Sequence, residues 1–194
     1  IYDTHEHLPA FESQRDPRSD VLSEYLGQYF SCDLVSAGLP MAHFRRAEDP
    51  SGPLAERWKL VEPYWEAARN TGYGRALDVT ARDLYGFDRI DADTIGPLNE
   101  AFTAARTGGD TYRRVLKETS RIALSLNDKT GVEDCDTDFF RLTVRLDDFI
   151  TPESAADVET LERRADGRRI HTLEDLQAAA EHVLDRALGT GKVL

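Results

Sequence analysis

The residues most able to do chemistry stand at the start of the chain, in Ile1-Tyr2-Asp3-Thr4-His5-Glu6-His7-Leu8-Pro9. Read as a strand, the period of two sends Asp3, His5 and His7 to one face and Tyr2, Thr4 and Glu6 to the other. The two imidazoles then lie about 7 Å apart along the strand, at roughly 3.4 Å per residue. Rings at that spacing can converge on one ion, and neutral imidazole is the commonest metal ligand, able to offer either nitrogen to zinc or a similar divalent metal. A helix would set the same residues about 200° apart at roughly 100° per residue, so a metal role requires an extended backbone. The competing reading is an exposed polar strand end whose histidines only hydrogen-bond. Asp3 reads as a carboxylate that orients a ring or serves the local structure rather than as a ligand. Glu6, on the other face, reads as packed or salt-bridged.

Asp3-Thr4-His5-Glu6-His7 resembles the Asp-x-His-x-His pattern of the amidohydrolase superfamily, in which the first strand of a (β/α)8 barrel carries two metal-binding histidines. A second block is Trp58-Lys59-Leu60, Glu62-Pro63-Tyr64-Trp65, Arg69 through Leu77 and Arg82-Asp83-Leu84-Tyr85-Gly86. It is similar to amidohydrolase-related proteins, a branch distantly like uronate isomerases with a helical insertion after the first strand. The resemblance runs along residues 1–194, yet covers only the front half of such a barrel. It implies an α/β fold: an incomplete (β/α)8 TIM-type barrel with a large helical insertion or cap over 15–120. It also implies a divalent cofactor, zinc first and manganese second, with His5 and His7 as ligands. Further histidines and an aspartate for proton transfer would come from strands beyond Leu194, so the catalytic acid or base is unassigned.

Active sites of such barrels lie at the C-terminal ends of the parallel strands. That rule selects His5 and His7, then Asn127 and Asp128, then Arg145, Asp147 and Asp148. Arg145 is a candidate to hold a substrate carboxylate, because guanidinium matches that group with two parallel hydrogen bonds. An ion pair with Asp147 or Asp148 is the competing reading. Arg75 and Tyr85, in the family-like block, are candidates to reach the substrate from the insertion. His43 is a candidate for a lid or substrate role, whereas His171 and His182 read as surface or cap positions.

The elements that must position these groups follow from pattern. Ser19 reads as an N-cap, followed by Val21, Leu22, Tyr25, Leu26, Tyr29 and Phe30 as one helical stripe that Gly38-Leu39-Pro40 stops. Residues 40–53, rich in Pro and Gly, read as a loop holding His43. Pro53 suits the start of a helix with an aromatic face, Trp58, Tyr64 and Trp65, which Pro63 should kink or end near Glu62. Arg75 to Tyr85 returns to helical spacing and Gly86 closes it. Asp93 or Thr94 caps a further helix to Arg106, and a short one follows Gly108-Gly109-Asp110. Ile122 to Asn127 and the alternating Phe139 to Phe149 read as strands. Helices are expected from Thr151-Pro152 to Arg164, and from Thr172, a loose capping box with Asp175, to Leu188. A last strand begins at Lys192. Asp128 to Asp138 is short for a parallel crossover and contains no evident helix.

Composition bounds the partners. Hydrophobic residues make up 40% and charged residues 31% of the 194, an ordinary globular balance. The net charge of −12 and pI near 4.8 argue against nucleic acid and anionic membrane, which require a basic face. Cys32 and Cys135 form no CxxC pair, so neither a disulfide framework nor a thiolate zinc site is expected, and a reducing cytoplasm fits. No apolar run approaches the roughly 20 residues of a membrane span. A full barrel takes about 250 residues, and the chain starts at Ile1 and stops as a strand begins. It is therefore expected to be part of a longer protein and inactive alone.

The resemblance thus implies a metal-dependent hydrolase acting on a small polar substrate at an amide, ester or related bond. A uronate-isomerase-like reaction or a non-oxidative decarboxylation on the same scaffold remains open, as does a non-catalytic helical module that binds partners. Assembly of several copies is equally open.

Overall fold

The structure is a computed structural model that describes residues 1–128 and 133–193. Contacts divide the chain into two compact units: Asp16–Thr111, and Ile1–Arg15 with Tyr112–Leu194.

The second of these holds the sheet. Strand β1 (Tyr2–Glu6), β2 (Leu124–Asn127) and β3 (Phe140–Leu142) lie side by side in the order β1-β2-β3, each pair parallel. Tyr2 is level with Leu124 and Asp3 with Ser125, after which the register shifts so that Glu6 meets Asn127. Val193 adds an isolated parallel bridge to Leu142. An incomplete TIM-type barrel is not what these residues form. The described residues are 56% helical, and the sheet among them stops at three strands, too few to curve towards closure. The physical reason is the brevity of the third strand. Phe139 to Phe149 alternates as a strand should, but β3 ends at Leu142, and Asp147–Ile150 coils into α7, in sequence order the seventh of the α-helices below. Asp147 and Asp148 fall in the first turn of that helix, where carboxylates meet the positive end of the backbone dipole.

Two small cores flank the sheet. One gathers Ala10, Tyr112, Leu116, Cys135, Phe140 and Leu142, with Tyr112 carried into a π-helical segment, Arg113–Thr119. The other packs Phe149 against Leu161 and Ala165 of the α8 region (helix Ala155–Arg164) and Ala179 and Val183 of α9 (Leu173–Leu188). Ser154 caps α8 by accepting from the Asp157 amide at 3.2 Å, so this helix starts later than Thr151-Pro152 suggests. Thr172 caps α9 in a true capping box with Asp175, as its spacing indicates.

The unit Asp16–Thr111 is wholly helical: α1 (Val21–Leu26), α2 (Phe30–Ser36), α3 (Met41–Glu48), α4 (Leu54–Ala68), α5 (Gly72–Tyr85) and α6 (Ile95–Thr107). The single stripe expected from Val21 to Phe30 breaks at Gly27, which leaves Tyr29 exposed and stacked on Tyr73 at 5.5 Å. Asp20, not Ser19, caps α1, its carboxylate accepting from the Ser23 amide at 2.9 Å. The stretch 40–53 is not a loop throughout, because Met41 to Glu48 contains no Gly or Pro and folds as α3 behind Pro40. Nor does Pro63 end α4. Proline inside a helix costs about 3 kcal/mol, whereas burying an aromatic of about 150–250 Å² is worth about 4–6 kcal/mol at about 25 cal/mol per Å². Trp65, beyond the proline, is only 2% exposed, so packing outweighs the lost hydrogen bond and the helix runs on to Ala68. Gly86 closes α5 at φ 79°, the left-handed conformation that favours glycine. Among the described residues no helix is long and apolar enough to cross a membrane.

Candidate metal centre

Glu6 shapes the site. As the last residue of β1 it folds its carboxylate back on the chain, Oε1 accepting from the His7 amide at 2.6 Å and the Leu8 amide at 2.9 Å. The extended backbone therefore turns immediately after the strand, and His7 stands just past its end. Upstream, Asp3 Oδ1 accepts from the His5 amide at 3.2 Å, within the segment where the register slips. Irregularities of this kind re-aim side chains at strand ends. Asp3 thus touches the backbone of His5, not an imidazole, and Glu6 is a turn former, not a surface ion pair.

The two rings meet. His5 Nε2 and His7 Nε2 are 2.9 Å apart, with ring centroids at 4.6 Å and planes at 84°. The loop beyond them is pinned on three sides. Asn127, buried at the end of β2, donates to the Leu8 carbonyl at 2.8 Å. The Tyr112 hydroxyl donates to the Pro9 carbonyl at 2.8 Å. The Asp136 amide donates to the Ala10 carbonyl at 2.9 Å.

Asp128 arrives from the C-terminal end of β2, its amide bonded to the Glu6 carbonyl at 2.8 Å. Its carboxylate accepts from the Thr143 hydroxyl at 2.6 Å and from Arg145 Nε at 3.0 and 3.2 Å to its two oxygens, and Arg145 Nη2 donates to Oδ2. Oδ2 also lies 3.8 Å from His5 Nδ1. The Arg145 fork, then the Thr143 hydroxyl, hold this carboxyl well below the usual carboxylate range, so Asp128 is ionised at neutral pH. The same contact raises Arg145. Exposure differs sharply within the group, with the His5 side chain 60% accessible and that of Asp128 only 12%.

Among the described residues one group of His, Cys, Asp or Glu side chains brings three ligand atoms within 4.8 Å of one another, namely His5, His7 and Asp128. The donor set fits zinc in type. Zinc holds imidazole nitrogens at about 2.0–2.1 Å, which in a tetrahedron spaces them about 3.3–3.4 Å apart, so the exposed rings need open by only about half an ångström.

Arg145 leaves the sheet beyond β3 rather than at the end of a long strand, and it pairs with neither Asp147 nor Asp148. Asp148 accepts instead from Arg164, which also donates to the Arg145 carbonyl. Asp128, Arg145, Asp147, Asp148 and Arg164 line a cavity of about 910 Å³. The remaining candidates belong to the helical unit. Arg75 is exposed on α5, Tyr85 is half-buried at the end of α5 with its ring edge against Phe102 at 6.0 Å, and His43 is exposed on α3. His182, read as a surface position, pairs with Asp166 at 2.9 Å.

Sequence reasoning named Asp128 only as a strand-end residue and passed over Thr143. The available signal was the rule that parallel strands gather their C-terminal residues on one edge, which applies to a three-stranded sheet as well as to a barrel. No family model matches the chain, and no curated protein matches it.

Proposed function

We propose that His5 and His7 bind a divalent metal ion, zinc first, as part of a metal-dependent hydrolase for a small polar substrate. The observation that carries the reading is the pair of Nε2 atoms 2.9 Å apart at the C-terminal edge of a parallel sheet. In open α/β sheets this edge is where ligands bind. A bound ion of this kind would lower the pKa of water from about 15.7 towards about 7, which supplies a nucleophile at neutral pH. The chain's own residues bind and orient: the two imidazoles face each other, and Asp128 with Arg145 fixes the charge beside them. Arg145, half exposed and lining the cavity, offers its remaining edge to a substrate anion while its fork stays on Asp128. Cys32 and Cys135 are free thiols, which fits a reducing, cytoplasmic setting.

The same 2.9 Å favours a second reading in which one ring donates to the other and no ion is held. Metal analysis separates the two. After incubation with zinc and dialysis, the wild-type chain is expected to retain a stoichiometric ion and His5→Ala and His7→Ala to lose it. Equal metal content in all three would leave the rings as hydrogen-bonding partners only. Hydrolysis is tested on small amides and esters with zinc present in a chain that also carries the further ligands and the proton-transfer group the resemblance implies, and chelator-insensitive turnover there would remove the ion from the reaction.

A further inference from the structure

We infer that Asp128 acts on the ion through His5, as the carboxylate that orients the ring, and is not itself a ligand. This rests on the metal reading of His5 and His7 and adds to it which nitrogen each group uses.

The nitrogens of His5 face different neighbours. Nε2 is the atom at 2.9 Å from His7 Nε2, and Nδ1 is the atom at 3.8 Å from Asp128 Oδ2. An imidazole that gives Nε2 to a metal keeps its proton on Nδ1, and a carboxylate placed there selects that tautomer and makes the ring more basic. The separation is longer than a hydrogen bond, but His5 is exposed and the ring can close it by a small rotation.

Distance alone would also admit Asp128 as a third ligand, since its oxygen lies within 4.8 Å of the imidazole atoms. Its hydrogen bonds decide against that. Oδ1 accepts from Thr143 and from Arg145 Nε, and Oδ2 accepts from Arg145 Nη2 and, at 3.2 Å, from Nε. Nε brings a single proton shared between the two oxygens, so three donors fill three of a carboxylate's about four lone-pair positions, and the one left is on Oδ2, the oxygen that lies 3.8 Å from His5 Nδ1. Direct ligation would have to take that same Oδ2 position away from His5 or displace a guanidinium fork that is among the stronger hydrogen-bonding arrangements a carboxylate finds. Thr143 and Arg145 therefore hold Asp128, and Asp128 holds His5.

The test uses Co²⁺ alone as the probe, on the whole chain, reading affinity by chelator competition and ligand geometry by the visible absorption of the bound ion. Asp128→Asn is expected to weaken Co²⁺ by about 10–100-fold, the usual cost of losing an orienting partner, with the band positions and intensities unchanged. Thr143→Val, which loosens the carboxylate without touching it, is expected to move affinity in the same direction by less. A changed Co²⁺ spectrum in Asp128→Asn would make Asp128 a ligand and overturn the inference, and unchanged affinity in both variants would overturn it from the other side. Were Asp128→Asn to fold poorly, Thr143→Val with its spectrum and affinity would carry the same decision. Failure of the wild-type chain to bind Co²⁺ at all would instead sink the metal reading beneath it.

Discussion

The helical unit and the sheet-bearing unit spend their hydrophobic residues differently. Asp16–Thr111 has one continuous core from Val21 to Phe102, with Trp58 and Trp65 in contact at 5.1 Å inside it. The sheet-bearing unit divides its apolar residues between two smaller clusters. Charge is distributed in the opposite sense. The helical unit buries one guanidinium, Arg57 at 2% exposure, and pairs it with Asp20, whereas the sheet-bearing unit pairs Asp128 with Arg145, Asp148 with Arg164 and Asp166 with Arg186, each pair with at least one partner well exposed, beside one buried carboxylate, Glu162, paired with Arg169. A continuous core resists change at many positions, and a divided core leaves strand ends exposed enough to bind something. Stability should therefore respond to the first unit, and metal chemistry to the second.

The sharpest way to break that contrast is at Asp20. Its carboxylate caps α1 and receives two nitrogens of Arg57, whose Nε also donates to the Ala47 carbonyl at 2.9 Å. Removing one partner of a buried pair leaves the other charged and unpaired, so Asp20→Ala is expected to destabilise the helical unit by about 3–5 kcal/mol. Urea unfolding followed by tryptophan fluorescence measures it cleanly, because Trp58 and Trp65 are the chain's two tryptophans. The pH dependence has a definite sign. Burial alone would raise the Asp20 pKa, but the hydrogen bonds from Arg57 and Ser23 outweigh it and the net shift is downward. A carboxyl with a depressed folded pKa contributes stability that is complete above its unfolded value near about 3.9 and is lost as pH falls through the folded value. The fluorescence-detected stability should decline below about pH 4, and Asp20→Asn should flatten that decline. An equal acid response in both would remove Asp20 from the account.

Leu98, fully buried in α6, tests the core itself. Leu98→Ala is expected to cost about 2–5 kcal/mol by the same fluorescence measurement, with zinc affinity unaltered. A parallel loss of zinc would mean that the two units do not divide the work as described.

The contrast also explains which features were legible in the sequence. Helix ends marked by local chemistry were readable where Thr172 with Asp175 and Gly86 after Tyr85 act over a few residues, whereas Thr94 stands before Ile95 without capping it, its hydroxyl donating to the Arg89 carbonyl at 2.8 Å instead. The opening strand was readable as far as Glu6, but His7 falls beyond it, and its ring meets that of His5 after the turn that the Glu6 carboxylate makes. The shape built from such strands was not, since residues 143–149 alternate like a strand and only tertiary packing of Phe149 with Leu161 and Val183 turns them into a bend and a short helix. Pro63 and residues 41–48 misled in the opposite direction, where breaker residues suggested an interruption and burial of Trp65 and Ala47 overrode it. The site divides likewise. Histidine spacing signalled the pair, but Asp128, Thr143 and Arg145 come together only through the register of β2 against β3, which pairs Asn127 with Leu142, and no local pattern encodes that register.

Zinc itself sharpens the comparison from the other side. A ligand that binds only the folded form stabilises by about 2.7 kcal/mol at a hundredfold excess over Kd. That gain should appear as slower amide hydrogen exchange in β1 and β2 and be absent in His7→Ala. Protection that rose equally in the helical unit would contradict a local effect.

The smallest expected effect is the most discriminating. In the absence of metal, His5→Ala should change stability by no more than about 0.5 kcal/mol, the usual range for exposed positions. The His5 side chain is 60% accessible and packs in none of the hydrophobic clusters. The hydrogen-bonding partner of its ring is His7, Asp128 lies beyond hydrogen-bond distance at 3.8 Å, and Asp128 keeps Arg145 and Thr143 when the ring is gone. Nothing buried is left without a partner, so no desolvation penalty follows. A residue of this kind is not held in place by what it contributes to folding. If chemical denaturation without metal showed a loss of several kcal/mol, the two rings would be a structural clasp on the turn after β1. A near-zero change alongside complete loss of bound zinc would assign the pair to binding.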